Sequence, residues 1–265
     1  MKPIERKTII SLVVTAAFIV IIIILLAGKH HRDEQNLNNV PVGTDQAGAI
    51  VSQQPKLVSI DEDNYLYGIS GSYPQFPQAG ALFNSSIKRA FTNEIAQFKK
   101  TANDDYKARR ETGGEDFEKQ FASGGMYTYQ IDTDIMQSND QYISAVVHFG
   151  GFSGGAHGYN NVRTFNYDVV NHREMTLSDL YPNDPDYLTK ISTMAREMLA
   201  KKLATAGNAQ LDSNALSMLN DGTDPTKPIN YQAFTFTKDS ITIYFGEYQV
   251  APYVFGEQTI TIARQ

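Results

Sequence analysis

The chain has 265 residues, 23 basic and 29 acidic, for a net charge of −6, with no cysteine and no tryptophan. The acidic balance argues against a nucleic-acid binder, and the missing cysteines exclude any disulfide framework. A folded part of about 210 residues is long enough to be held by its own core.

Residues Ile9 to Ala27 carry no charge, and only Ser11 and Thr15 are polar. As a helix this run is about 28 Å long, enough to cross a hydrocarbon core. Lys2, Arg6 and Lys7 precede it against the single acid Glu5, a bias that places the N-terminus inside and the C-terminal part outside. A cleaved secretory signal is the rival reading. The run is longer than the usual apolar core of such signals, no A-x-A site follows, and Lys29 stands where a lipoprotein would need Cys. The expectation is a single-pass membrane protein: residues 1–8 a cytoplasmic stub, 9–27 the span, and 28–56 a polar stalk. Beyond the span remain 20 basic and 28 acidic residues, so the exported part carries about −8.

Residues 57–141 are expected to form an N-terminal subdomain. Tyr65, Tyr67 and Ile69 alternate like a strand that Ser72-Tyr73-Pro74 ends. Leu82, Ile87, Ala90, Phe91, Ile95 and Phe98 form the apolar stripe of a helix over 81–101. Asp104 to Gly125 reads as a helix extension and then a loop. Tyr127 to Ile135 is a strand, and Ser138-Asn139-Asp140 a turn.

Residues 142–265 follow as a second subdomain. Ile143, Ala145, Val147 and Phe149 alternate on one face of a strand, and Val162 to Val170 is another. Asp184 as N-cap and Pro185 begin a helix lined by Leu188, Ile191, Ala195, Met198 and Leu199, which Gly207 ends. Asn220 to Pro225 is a loop. Phe234 to Phe236 runs on through Ile241 to Phe245, as one strand or as a hairpin about a turn at Asp239, and Thr259 to Ile262 is the last strand. The fold class is α+β, a mostly antiparallel sheet packed with two main helices.

Several residues attract a chemical reading. Gly151-Phe152-Ser153-Gly154-Gly155 matches G-x-S-x-G, but a strand follows where a nucleophile elbow needs a helix. His157, in Gly154-Gly155-Ala156-His157-Gly158, is either a ligand contact or a cap that fixes its loop. His148 and His172 are too scattered to form a zinc site with it. Asn220 to Asp224 only echoes a calcium loop, and the Asn84 sequon falls at a helix start. Pro252, Tyr253 and Phe255 form a turn that either presents apolar area to a partner or closes the sheet.

Three blocks carry a family resemblance. They are Gly154-Gly155-Ala156-His157 with Arg163 to Asp168; Met175 to Tyr181; and Ile243-Tyr244-Phe245 with Tyr248 to Tyr253 and Gly256. They resemble the exported domain of the RsiV anti-sigma factor and the non-catalytic N-terminal half of PdaC peptidoglycan deacetylase. The resemblance implies a binding module of the cell envelope whose partner is a lysozyme-like protein or a cell-wall glycan. Pro252, Tyr253, Phe255, His157, Gly154 and Gly155 are the expected contacts. Two departures are expected: eight residues before the span are too few to hold a sigma factor, and no separate catalytic domain with a metal-binding Asp/His set follows, so no cofactor, metal or catalytic set is expected. The alternative is a wall-polymer enzyme using His157 with a carboxylate such as Asp168. A third reading is a structural subunit that recruits a partner through its span.

Overall fold

A computed structural model describes residues 54–264, apart from 122–126, 155 and 208–209 and the side chains of 114–116 and 118–121. The expected span, Ile9 to Ala27, and nearly all of the stalk lie outside the described residues. Among those that are described, no helix is long and apolar enough to cross a membrane.

Two antiparallel strands open the fold, β1 (Lys56–Asp63) and β2 (Tyr67–Gln75). The residues of β1 are mostly exposed and end in Asp61, Glu62 and Asp63, as suits a sheet edge. Strand β2 runs through Tyr73 and Pro74 rather than ending there. Its pairing with the inner neighbour stops at Gly71, so Pro74 faces only Leu57 of β1 and its missing N–H breaks no inner ladder. Gly71 is required at that departure. Its φ is +126°, and a Cβ there would lie 2.0 Å from the Ile131 carbonyl oxygen.

Helix α1 (Gly80–Phe121) then crosses the sheet, and β3 (Tyr127–Ser138) pairs parallel to β2. Asn84 fixes the helix start. Its amide donates to the Phe76 and Gly80 carbonyls, and its oxygen accepts from the Phe76 N–H at 2.7 Å. The buried stripe of α1 is Phe83, Ile87, Phe91, Ile95, Phe98 and Ala102. Leu82, expected in that stripe, is 90% exposed. A spacing of four counted back from Ile87 reaches residue 83, so one position of phase separates the two.

Strands β4 (Tyr142–Phe152), β5 (Tyr159–Asp168) and the short β6 (Arg173–Glu174) complete an otherwise antiparallel six-stranded sheet in sequence order. The turn before β4 is the expected one: the Asn139 side chain accepts from the N–H groups of Gln141 and Tyr142. Ile143, Ala145, Val147 and Phe149 face α1. The opposite face of β4 is also covered, with Ser144 and Val146 buried.

The covering layer is a second sheet, the meander β7 (Phe234–Phe236), β8 (Ser240–Phe245) and β9 (Gln258–Ala263). Helices α2 (Tyr187–Gly207) and α3 (Ser213–Gly222) pack with it. Asp184 and Pro185 form a turn just before α2, in which the Asp184 side chain accepts the Asp186 N–H. Met198, expected on the buried face of α2, is 41% exposed, and Leu203 takes a place there instead. Helix α3 absorbs Asn220 to Gly222, expected in a loop. Asp212 caps it, accepting from the Ala215 N–H at 2.8 Å.

All of this forms one compact unit. Its buried side chains fall into two clusters, one ending at Tyr167 and the other beginning at Met175. The expected boundary at 141–142 coincides with the β3–β4 turn, inside the larger sheet.

Candidate functional site

The loop between β4 and β5 and the segment between β8 and β9 meet on the surface. His157 stacks on Tyr253, with ring centroids 4.0 Å apart and planes 28° apart. Tyr248 stacks on Tyr253 at 5.6 Å, and its hydroxyl lies 3.4 Å from His157 Nε2. The Gly158 carbonyl lies 2.7 Å from His157 Nδ1 and accepts from the Tyr253 hydroxyl at 3.0 Å. A carbonyl cannot donate, so Nδ1 is the donor in this contact.

This cluster is open to solvent. His157 and Pro252 are exposed, Tyr248 is 54% exposed and Val254 83%. Tyr253 is half-buried, and burial chiefly, then the nearby Glu247 carboxylate and Tyr248, raise its hydroxyl pKa. Glu247 also ties the start of β5, accepting from the Asn160 backbone N–H and side-chain amide.

The base of the histidine loop is held by α1. Gly154 is buried with φ +100°, and a Cβ there would lie 2.1 Å from Asp105 Oδ2. The Arg109 guanidinium donates to the Gly154 carbonyl and pairs with Asp105, while the Tyr127 hydroxyl donates to Asp105 at 2.6 Å. Burial and the Asp105 carboxylate keep the Tyr127 hydroxyl protonated well above its ordinary range. Gly154 therefore shapes and anchors the loop.

Of the six residues expected at the site, His157, Pro252 and Tyr253 come together at the surface. Phe255 does not join them; it turns inward against the second core. Gly155 lies outside the described residues. Tyr248 and Glu247 were missed as site residues. Tyr248 does begin the resemblance block Tyr248 to Tyr253, but nothing in the sequence places its ring beside His157, 91 residues earlier in the chain. Asp168 does not reach His157. It sits at the opposite end of β5, about 30 Å along the strand, where the Asn171 side chain and N–H hold its carboxyl below the ordinary range. The His157 and Asp168 pairing considered for an enzyme is thus not assembled. Among the described residues no three His, Asp or Glu converge as metal ligands.

A second polar contact joins the two layers. His148 of β4 lies 3.3 Å from Glu257, with Tyr244 edge-on to its ring. The Glu257 bond raises the imidazole pKa, and Asp134 and Asp132 add to it while burial opposes.

Comparison with known proteins follows this division. A family model described as "Deacetylase PdaC" matches residues 60–160, and one described as "Protein of unknown function (DUF3298)" matches 178–265. The first stretch falls on the cluster under α1 and the second on the cluster around the smaller sheet. A curated relative, the peptidoglycan-N-acetylmuramic acid deacetylase PdaC of Bacillus subtilis (strain 168), is 28% identical over 209 residues. The match takes in 79% of this chain but only 40% of that protein's length. Two solved structures of DUF3298 family members align with it, each covering 79% of this chain and 90% of theirs. The one from Bacteroides fragilis NCTC 9343 has a TM-score of 0.48 at 19% identity, and the one from Pseudomonas aeruginosa PAO1 has 0.49 at 16%.

Proposed function

We propose, for a chain that carries a PdaC-type domain followed by a DUF3298 domain, the role of a membrane-anchored binding module of the cell envelope. The span Ile9 to Ala27 holds it with the N-terminus inside, and the folded part works outside. It binds a wall-associated ligand, either a lysozyme-like protein or the wall glycan itself. The observation that carries this reading is the exposed ring cluster of His157, Tyr248 and Tyr253, extended by Pro252 and Val254. Aromatic side chains held rigid against one another offer contact area at little entropic cost. The name of the relative, a peptidoglycan deacetylase, supports a wall setting.

Co-sedimentation of the full chain with purified peptidoglycan, and its co-elution with a c-type lysozyme, test this. At least one ligand should be retained, and Tyr253→Ala should lose it while keeping native circular dichroism. If the folded protein retains neither, the reading is wrong.

A further inference from the structure

We infer that the ring cluster is a sugar subsite, built to stack on a pyranose ring that bears no acid group. The inference rests on the binding-module reading and names its ligand class. Stacked rings alone would suit a peptide as well as a sugar. Three further observations favour the sugar.

The first is the rim. The Gly158 carbonyl and the Tyr248 hydroxyl lie at the edge of the rings, and the carboxylate of Glu247, the chain neighbour of Tyr248, binds the Asn160 amide. Each Glu247 oxygen accepts one N–H, at 3.2 and 3.0 Å. A carboxylate has about four acceptor positions, so lone pairs remain for hydroxyl donors. An aromatic face bordered by a planar acceptor and an amide matches a pyranose. Its axial C–H bonds meet the negative ring face, while its equatorial hydroxyls point outward to the rim.

The second is backbone conformation. Tyr248 has φ +64°, one of two non-glycine residues with positive φ among the described residues. Glycine would take that conformation without strain, yet a large ring is carried there. The conformation directs this ring onto Tyr253 and toward His157. Strain retained where it places an exposed side chain points to use of that side chain.

The third is charge. Glu247 beside the rings repels an acidic sugar and accepts from a neutral one.

Calorimetric titration of the full chain tests the inference, in a zwitterionic detergent free of sugar headgroups because of the apolar run at 9–27. The probes are an N-acetylglucosamine tetramer, a galacturonate tetramer and a c-type lysozyme. The neutral tetramer should bind, and the acidic one at least tenfold more weakly. Tyr253→Ala and Tyr248→Gly should each weaken the neutral tetramer at least tenfold. Tyr248→Gly relieves the backbone while removing the ring, so its thermal midpoint should not fall, and loss of binding cannot then be blamed on unfolding. Glu247→Gln should narrow the gap between the two tetramers. Lysozyme bound through the same residues with no tetramer bound would overturn the sugar assignment and leave the binding-module reading standing. A folded protein that binds none of the three would overturn the sugar assignment, and its failure also to sediment with peptidoglycan would overturn the binding-module reading.

Discussion

Asn166 is the residue on which the two sheets are joined. Buried in the interior, it donates to the Phe234 carbonyl at 2.7 Å and accepts from the Ser144 hydroxyl. Ser144 in turn accepts from the Phe236 N–H, and Thr164 accepts from the Phe234 N–H. Side chains of the larger sheet thus satisfy backbone groups on the open edge of β7, groups that would be costly to bury unpaired. Asn166→Ala leaves the Phe234 carbonyl without its donor and should cost about 2 kcal/mol in urea unfolding. His148 makes the partly exposed counterpart of this joint. Its folded pKa lies above the ordinary 6.5 because of Glu257. The contribution is therefore complete below about pH 6.5 and is lost as pH rises through the folded value. The urea midpoint of the native chain should fall between pH 6 and pH 8, and His148→Gln should flatten that fall. An equal slope in the variant would assign the pH dependence elsewhere.

At the scale of elements, the helices were legible and their faces less so. The stripe of α1 reads correctly from Ile87 onward, but its first turn holds both Leu82 and Phe83, and hydropathy alone ranks them alike. The sheet chooses Phe83, which packs on Tyr167 with centroids 4.4 Å apart. Phe83→Ala should cost about 3–5 kcal/mol, whereas Leu82→Ala should stay within about 0.5 kcal/mol; equal losses would contradict this packing. Strand β1 was missed because its charges hide the alternation of Val58 and Ile60, which an edge strand needs only on one side. Helix α3 was missed because ten residues give a short periodic pattern, and its stability comes from packing rather than from propensity.

For the whole molecule, two family-matched stretches share one compact unit. The β4 strand has the first core on one face and the smaller sheet on the other, so neither half is closed without it. Unfolding of residues 54–265 should accordingly be a single transition, with urea curves from tyrosine fluorescence and far-ultraviolet dichroism superimposing. Two resolved transitions would mean that the joint through Asn166, Ser144 and His148 is weaker than its geometry indicates.

The sequence alone determined the α+β class, most of the strands, the two main helices and the family resemblance. Each of these is written in local periodicity, capping residues or short motifs, which neighbouring residues suffice to express. It also marked His157 and Tyr253 one by one. Only the tertiary structure decided that these two stack together with Tyr248 while Phe255 turns inward, and that Asp168 stands a full strand away from His157. The reason is separation along the chain. Residues 157 and 253 meet because the smaller sheet folds back on β4 and β5, and that contact depends on how buried faces and polar edges are satisfied across the whole unit rather than on any pattern within reach of either residue.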